Sequence, residues 1–292
     1  MNQLSQVLVA GVSSGLVIGG LALALAVGFQ GSGVLNFAQG QLATLSAYFA
    51  WQAAAWGASP LLAMLVSVAL SFALGMAVQR VFVTPIMGGS ELPILVVTIA
   101  LFLLAESLIG IVWGYLPKSI PGVSDGVLRF GDVVVTHQVV VQIVVLTAVI
   151  VVVSGIFRYS RIGLQMRAAA INPHSSELSG VNLRLVLAVG WGVAAAVGAV
   201  AGTVSAPVTG LSPDVNSATL LLAFAAAALG GFHSRAGAFV GGLIVGILTA
   251  LAGAYLEFIG NDLRVLVPLV VIVVALLVAP DGIFTRQRKV RV

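Results

Sequence analysis

The sequence predicts an all-α polytopic membrane protein of about 8–9 transmembrane helices, arranged as two pseudo-repeated, glycine-interrupted halves. Three observations lead there. Of 292 residues, 60% are hydrophobic and only 8% charged, where a soluble domain carries about 25% charged residues. The apolar residues come in blocks of about 20, the length a helix needs to cross a bilayer. Glycine-rich polar breaks stand at corresponding places in the two halves. A transmembrane β-barrel would instead alternate in segments of about 10 residues.

Taken in order, the first span covers Val7 to Phe29, and the polar stretch Gly28 to Gln41 follows it with four glycines. This stretch reads either as a loop between spans or as a break within the membrane. The second span is Leu42 to Trp56, and Gly57 to Pro60 is a tight turn. The third is Leu61 to Phe82 and the fourth Ile94 to Trp113. Gly114 to His137 is rich in Pro and Gly, and its VLRF and VVVT pieces flank Gly131-Asp132, which predicts a small β-hairpin or capped loop. The remaining spans are Val139 to Phe157, Leu185 to Pro207, Ser217 to Leu229, Ala238 to Tyr255 and Val265 to Val278. The first block lacks a basic flank before it and an Ala-x-Ala site after it, so it reads as a retained span.

A polar island, Arg158 to Arg184, separates the fifth and sixth spans and holds four arginines. Its length places it in water or against a soluble partner. Arg161 to Ala170 fits a short amphipathic helix, with Arg161 and Arg167 placed to reach headgroups or acidic protein. Asn172 is a good N-cap and Pro173 a good first helical residue. Gly180 suits the left-handed residue that ends a helix. The island thus reads as a rigid stub at the base of the spans, either a device that transmits a push or a helix lying passively at the interface. Basic residues set the orientation. With the island in the cytoplasm, Arg80, Arg158, Arg161, Arg167, Arg184, Arg235, Arg286, Arg288, Lys289 and Arg291 lie inside, and Lys118, Arg129 and Arg264 outside. The N-terminus is then outside and the C-terminus cytoplasmic. The net charge of +4 belongs to this bias and does not point to nucleic acid.

The two halves echo each other. Ala24 to Ala50 and Ala226 to Tyr255 each run from an alanine-rich helix through a Gly-Phe step (Gly28-Phe29, Gly231-Phe232) into a glycine-rich helix. Interrupted helices at matching places point to a transport pathway, although small residues also serve plain helix packing. In the first break, Asn36, Phe37, Gln39 and Gly40 offer amides and bare backbone to an uncharged or zwitterionic solute, or else cap helix ends. Glu106 lies inside the fourth span, where a carboxyl is costly unless it meets a cavity or partner; it reads as a substrate or coupling-ion contact, or as a group hydrogen-bonded within the bundle.

Enzymatic chemistry finds little support. His137, His174 and His233 have no metal-ligand spacing, and no Walker A, no G-x-S-x-G and no carboxylate pair on a helix face occurs. The chain has no cysteine, which removes disulfides, thiol catalysis and Cys-ligated metals.

The run RYSRIGLQMRAAA, with Leu178-Ser179-Gly180-Val181-Asn182 beyond it, resembles the cytoplasmic loop of the LivH-type permeases of branched-chain amino acid ABC transporters. Gly33 to Gly40 resembles that family's Gly-x-x-Asn-Phe-Ala-His-Gly. Ala228 to Gly231, with Gly237-Ala238 and Gly241-Gly242, resembles its Leu-Gly-Gly…Pro-Gly-Ala…Gly-Gly segment, and Pro280 to Phe284 also fits. The resemblance spans nearly the whole chain. It implies one permease domain over residues 1–292, with 158–184 as its cytoplasmic coupling loop, in the bacterial plasma (inner) membrane. It implies import of branched-chain or other small amino acids, driven by ATP and dependent on a binding protein. The partners would be a second, LivM-like permease, two cytoplasmic ATPases that hold the ATP and magnesium, and an extracytoplasmic binding protein; this chain would carry no cofactor. Arg167, Asn172, Pro173, Glu177, Leu178, Gly180 and Asn182 would serve ATPase coupling, and Asn36 to Gly40 would help line the path. There are departures. Gln39 stands where the family often has His. Ser175, Ser176 and Ser179 make the docking surface more polar. His233 to Ala236 lacks the usual Pro. Related permeases carry urea and short amides, so cargo is the point these departures touch. An ion-coupled secondary carrier is the competing class, and it would need more intramembrane charge than Glu106 supplies.

Overall fold

The computed structural model describes residues 2–87, 92–120, 122, 126–130, 133–255, 270, 273, 274, 277 and 282–284. The chain forms α1 (Asn2–Ser32), α2 (Gln39–Ala55), α3 (Pro60–Val78), α4 (Leu92–Trp113), β1 (Val127–Phe130), β2 (Val133–Thr136), α5 (His137–Tyr159), α6 (Arg161–Ile171), α7 (Pro173–Leu178), α8 (Leu183–Thr209), α9 (Ser217–Gly230) and α10 (Arg235–Tyr255). Among the described residues, six helical segments are long and apolar enough to cross a membrane: Gln3–Ser32, Pro60–Ile86, Leu92–Trp113, His137–Tyr159, Leu183–Thr209 and Arg235–Tyr255. The segment after α3 is continued by a π-helical turn, Gln79–Val83, and a 3-10 turn, Thr84–Ile86.

Two expected spans are short. α2 has 17 residues and α9 has 14, about 25 and 21 Å at 1.5 Å per residue, less than the ~30 Å hydrocarbon thickness. The span expected at Val265 to Val278 lies outside the described residues, apart from residues 270, 273, 274 and 277.

Close backbone packing sets the arrangement. α1 and α10 run antiparallel with glycines at the seam. A Cβ on Gly15 would lie 2.8 Å from Leu243 Cα, and one on Gly19 would lie 2.7 Å from the Phe239 carbonyl oxygen. Small residues permit this approach, and dispersion between backbones is what such packing gains in lipid. α1 is also antiparallel to α8: a Cβ on Gly28 would meet Ala194 at 3.4 Å, and one on Gly31 would meet Gly190 Cα at 3.2 Å. α2 instead runs parallel to α8, with Gln39 beside Ala194 and Ala43 beside Gly202.

These contacts fix the depth of the first break. α8 begins at Leu183, so Ala194 lies about 17 Å along it, and α2 begins at that level. The stretch between Gly33 and Ala38 therefore sits beside the body of α8, as a break within the bundle and not a loop beyond it. Asn36 and Ala38 are buried there. In the α1 half the helix runs through Gly28-Phe29 to Ser32 and breaks at Gly33, which has φ +71°. α9, by contrast, stops directly before Gly231, at φ +92°. The sequence echo is therefore offset by one helical turn.

The predicted hairpin is present. β1 and β2 pair antiparallel, Val127 with Thr136 and Phe130 with Val133; Gly131 and Asp132 lie outside the described residues. It sits by the start of α1, where Gln6 exchanges hydrogen bonds with the Val134 backbone. Lys118 and Leu211 form an isolated antiparallel bridge at this same end, and the Lys118 ammonium stands 4.4 Å from the centre of the Trp51 ring. Arg80, Arg158, Arg161, Arg167, Arg184 and Arg235 gather at the opposite end, with α6 and α7.

Candidate functional site

The polar island folds as two short helices with a defined cap at every junction. The Ser160 hydroxyl accepts from the Gly163 amide at 3.0 Å and donates to the Ile156 carbonyl at 2.6 Å, starting α6. Met166 and Ala169 bury one face of α6 against Val27, Phe157 and Val186. Asn172 Oδ1 accepts from the Ser175 amide at 3.0 Å, and Pro173 takes the first position of α7. Ser176, the buried residue of α7, donates to the Asn172 carbonyl.

α7 ends in a Schellman motif. The Gly180 amide reaches the Glu177 carbonyl at 2.9 Å and the Val181 amide reaches Ser176 at 3.0 Å, with Gly180 at φ +84°. Asn182 Oδ1 then accepts from the Leu185 amide at 3.1 Å and starts α8. Glu177, Leu178 and Ile171 are left exposed, Leu178 at 79% and Ile171 at 76%. Arg167 is exposed, yet its guanidinium is tied back to backbone. It donates to the Gly163 carbonyl one turn back in α6 and to the Arg158 carbonyl near the end of α5, tying the two helices together.

The two glycine breaks meet above this loop. Gln30, in the last turn of α1, donates to the Phe232 carbonyl at 3.0 Å and accepts from Arg235. The Phe29 ring lies 5.3 Å from both Phe232 and His233. The Arg235 guanidinium stacks 4.6 Å from the centre of Phe157, at the end of α5. Segments two hundred residues apart in sequence thus share one junction, and that junction rests on the helix leading into the polar loop.

In the first break, Asn36 and Gln39 bind each other. Asn36 Nδ2 donates to Gln39 Oε1 at 3.3 Å, Asn36 Oδ1 accepts from the Ala38 amide at 3.0 Å, and Gln39 Nε2 donates to the Ala194 carbonyl at 3.1 Å. These amides hold the break in shape. Phe37 packs on Phe224, with ring centres 4.8 Å apart. Gly40 lets α9 approach: a Cβ there would lie 3.0 Å from Leu220 Cβ and 3.2 Å from the Asn216 carbonyl oxygen.

The structure brings Glu106 into this region and adds residues that the sequence did not single out. Gln41 Nε2 donates to Glu106 Oε2 at 3.3 Å and to Ser217 Oγ at 3.1 Å. Asn216 Nδ2 donates to Thr44 Oγ1 at 3.0 Å, and Thr44 donates to the Gly40 carbonyl. The first turns of α2 and α9 therefore lie side by side, pointing in opposite directions, with α4 presenting its carboxylate to both. Gln41 adjoins the Asn36 to Gly40 motif, so a polar residue continuing into a span was the available signal. Ser217 and Asn216 carried none, since their partners Gln41 and Thr44 lie 176 and 172 residues away. Among the described residues, no group of three His, Cys, Asp or Glu gathers to hold a metal.

Fold and site together define a polytopic bundle of apolar, partly interrupted helices, seated on a short capped polar loop. Residues 7–276 match the family model described as "Branched-chain amino acid transport system / permease component"; the chain belongs to this family. It is 28% identical to the "High-affinity branched-chain amino acid transport system permease protein LivH" of Escherichia coli (strain K12), with 94% of each chain covered. It is 27% identical to the permease protein BraD of the corresponding system in Pseudomonas aeruginosa, again over 94% of each. A "Probable branched-chain amino acid transport permease protein LivH" of Methanocaldococcus jannaschii is 25% identical, over 90% of this chain and 87% of that one. The role is that of a transport subunit, not an enzyme.

Proposed function

We propose that this chain is the permease subunit of an ATP-driven, binding-protein-dependent importer of branched-chain or other small amino acids in the bacterial plasma (inner) membrane. The supporting observation is the coupling unit. α6 and α7 are capped at every end, anchored through Met166 and Ala169, and set beneath the junction where the two interrupted segments meet. A stub held this way transmits displacement as a body, where an uncapped loop would absorb it.

In this reading Ala170 to Asn182 docks in a cleft of a cytoplasmic ATPase. Exposed Leu178, Ile171 and Glu177 supply the contact, while Asn172, Pro173, Gly180 and Asn182 keep its shape. Arg167 ties α6 to the end of α5. Two such ATPases hold the ATP and magnesium, a LivM-like permease completes the core, and an extracytoplasmic protein delivers the solute. The N-terminus is extracytoplasmic and the C-terminus cytoplasmic, in keeping with the arginines gathered around α6. The solute path runs past Asn36, Phe37, Gln39, Gly40 and Glu106.

The test is uptake of radiolabelled leucine by vesicles carrying this chain with the products of its neighbouring genes. Uptake that requires both the binding protein and ATP supports the proposal. ATP-dependent uptake of urea or a short amide, without leucine, keeps the machine and changes its cargo. Uptake by this chain alone, driven by an ion gradient, refutes it.

A further inference from the structure

We infer that Glu106, Gln41 and Ser217 form an ammonium-binding subsite, so that the solute handled at the crossing of α2 and α9 carries a protonated amine. This rests on the import reading above.

The argument begins with hydrogen-bond supply. A carboxylate only accepts, so the Gln41 amide must turn its nitrogen toward Glu106 Oε2, at 3.3 Å. That orientation also serves Ser217 Oγ, at 3.1 Å. It leaves Gln41 Oε1 facing inward with no donor, in a side chain that is 0% exposed. A buried carbonyl oxygen without a donor is costly. The alternative amide orientation would set oxygen against oxygen at Glu106.

Glu106 itself is half-open. Gln41 is its hydrogen-bond partner among the described residues, and Oε1 accepts nothing there. No lysine, arginine or histidine of the described chain neutralises it. An intramembrane carboxylate is expensive in this condition. The cluster is thus rich in acceptors, with the single Ser217 hydroxyl hydrogen as the one donor left to serve them. It offers Glu106 Oε1, the orphaned Gln41 Oε1 and the remaining lone pair of Ser217. An ammonium group carries three N–H donors and one positive charge, which supplies both deficits together. Urea or a neutral amide would supply donors without charge, and a carboxylate would supply neither.

The position also fits. Gln41 belongs to the first turn of α2, Ser217 opens α9, and Glu106 lies on α4, so a bound amine would bridge three elements. Gly40 makes the crossing close enough to form the site. Movement of α9 against α2, as the junction at Gln30 and Arg235 shifts, would separate Ser217 from Gln41 and dismantle it.

The experiment uses the complete permease–ATPase assembly in detergent, without its binding protein, and measures equilibrium binding of radiolabelled leucine. Saturable binding displaced by 3-methylbutylammonium, and not by 4-methylpentanoate or urea, is expected. Glu106→Gln should weaken leucine binding about tenfold or more, since a charge-assisted hydrogen bond is lost. Ser217→Ala should weaken it less, and Glu106→Asp should retain displacement by the amine. ATPase stimulation by the binding protein confirms that each variant is assembled. Unchanged leucine binding in an assembled Glu106→Gln variant, stronger displacement by the carboxylate than by the amine, or no saturable binding in the wild type would overturn the subsite. ATP- and binding-protein-dependent uptake by the wild-type assembly reconstituted in vesicles with its binding protein would leave the import reading standing. Absence of any such uptake would remove both.

Discussion

Replacing Gly180 separates backbone strain from steric bulk in the coupling loop. Gly180 holds φ +84° and closes α7 through the Gly180–Glu177 and Val181–Ser176 hydrogen bonds. A side chain in the left-handed region costs about 1–2 kcal/mol. A Cβ built there meets nothing within 4 Å, so the cost should not grow with side-chain size in the isolated chain. Gly180→Ala and Gly180→Arg are both expected to raise the opening of α7 by about 5–30-fold, the factor that 1–2 kcal/mol represents. Hydrogen exchange over residues 173–185, measured in detergent, reads this directly. Transport should then distinguish the two variants. If the open space at Gly180 is where an ATPase seats, Gly180→Arg abolishes leucine uptake while Gly180→Ala retains part of it. Unchanged exchange in Gly180→Ala would refute the strain argument. Equal uptake by the two variants would refute the docking argument.

Further outcomes follow from the same geometry. Asn172→Ala removes the Oδ1 cap of the Ser175 amide and should cost about 1 kcal/mol locally, visible as faster exchange confined to residues 173–178. Gly15→Ala places a methyl 2.8 Å from Leu243 Cα; such overpacking costs about 1–3 kcal/mol, and the folded fraction in a detergent thermal-stability assay should fall. Gly155→Ala meets nothing within 4 Å and exchanges a poor helix former for the best one, so the same assay should show no loss and a gain of up to about 1 kcal/mol. Ser46 and Ser71 share a 2.6 Å hydroxyl pair that joins α2 to α3; a double-mutant cycle with alanine should give a coupling of about 0.6 kcal/mol, the average for such bonds in membranes.

The membrane class, the short capped helices of the polar loop and the β-hairpin before α5 were all legible in the sequence. Each depends on local chemistry: apolar block length, Asn before Pro, glycine at a helix stop, and Pro and Gly punctuation around the VLRF and VVVT pieces that flank Gly131-Asp132. Family membership was legible for a related reason, since several separate motifs stand in order along one chain. Span length was less legible. Ser217 to Leu229 reads as apolar as its neighbours, and composition does not say how far such a helix reaches across a bilayer.

Only the tertiary structure decided where the breaks lie and what they meet. Asn36 and Gln39 could equally have faced a solute, and the fold turned them onto each other and onto Ala194. The Arg167 guanidinium found backbone carbonyls both in its own helix and at the end of α5. Glu106 meets Gln41, and through it Ser217, because α2 and α9 cross beside it. The physical reason is range. Caps, turns and hydropathy act within about one helical turn and are written in adjacent residues. The meeting of Gln41 with Ser217, or of Gln30 with Arg235, depends on how glycine faces let whole helices approach, a property of paired surfaces that no single stretch of sequence carries.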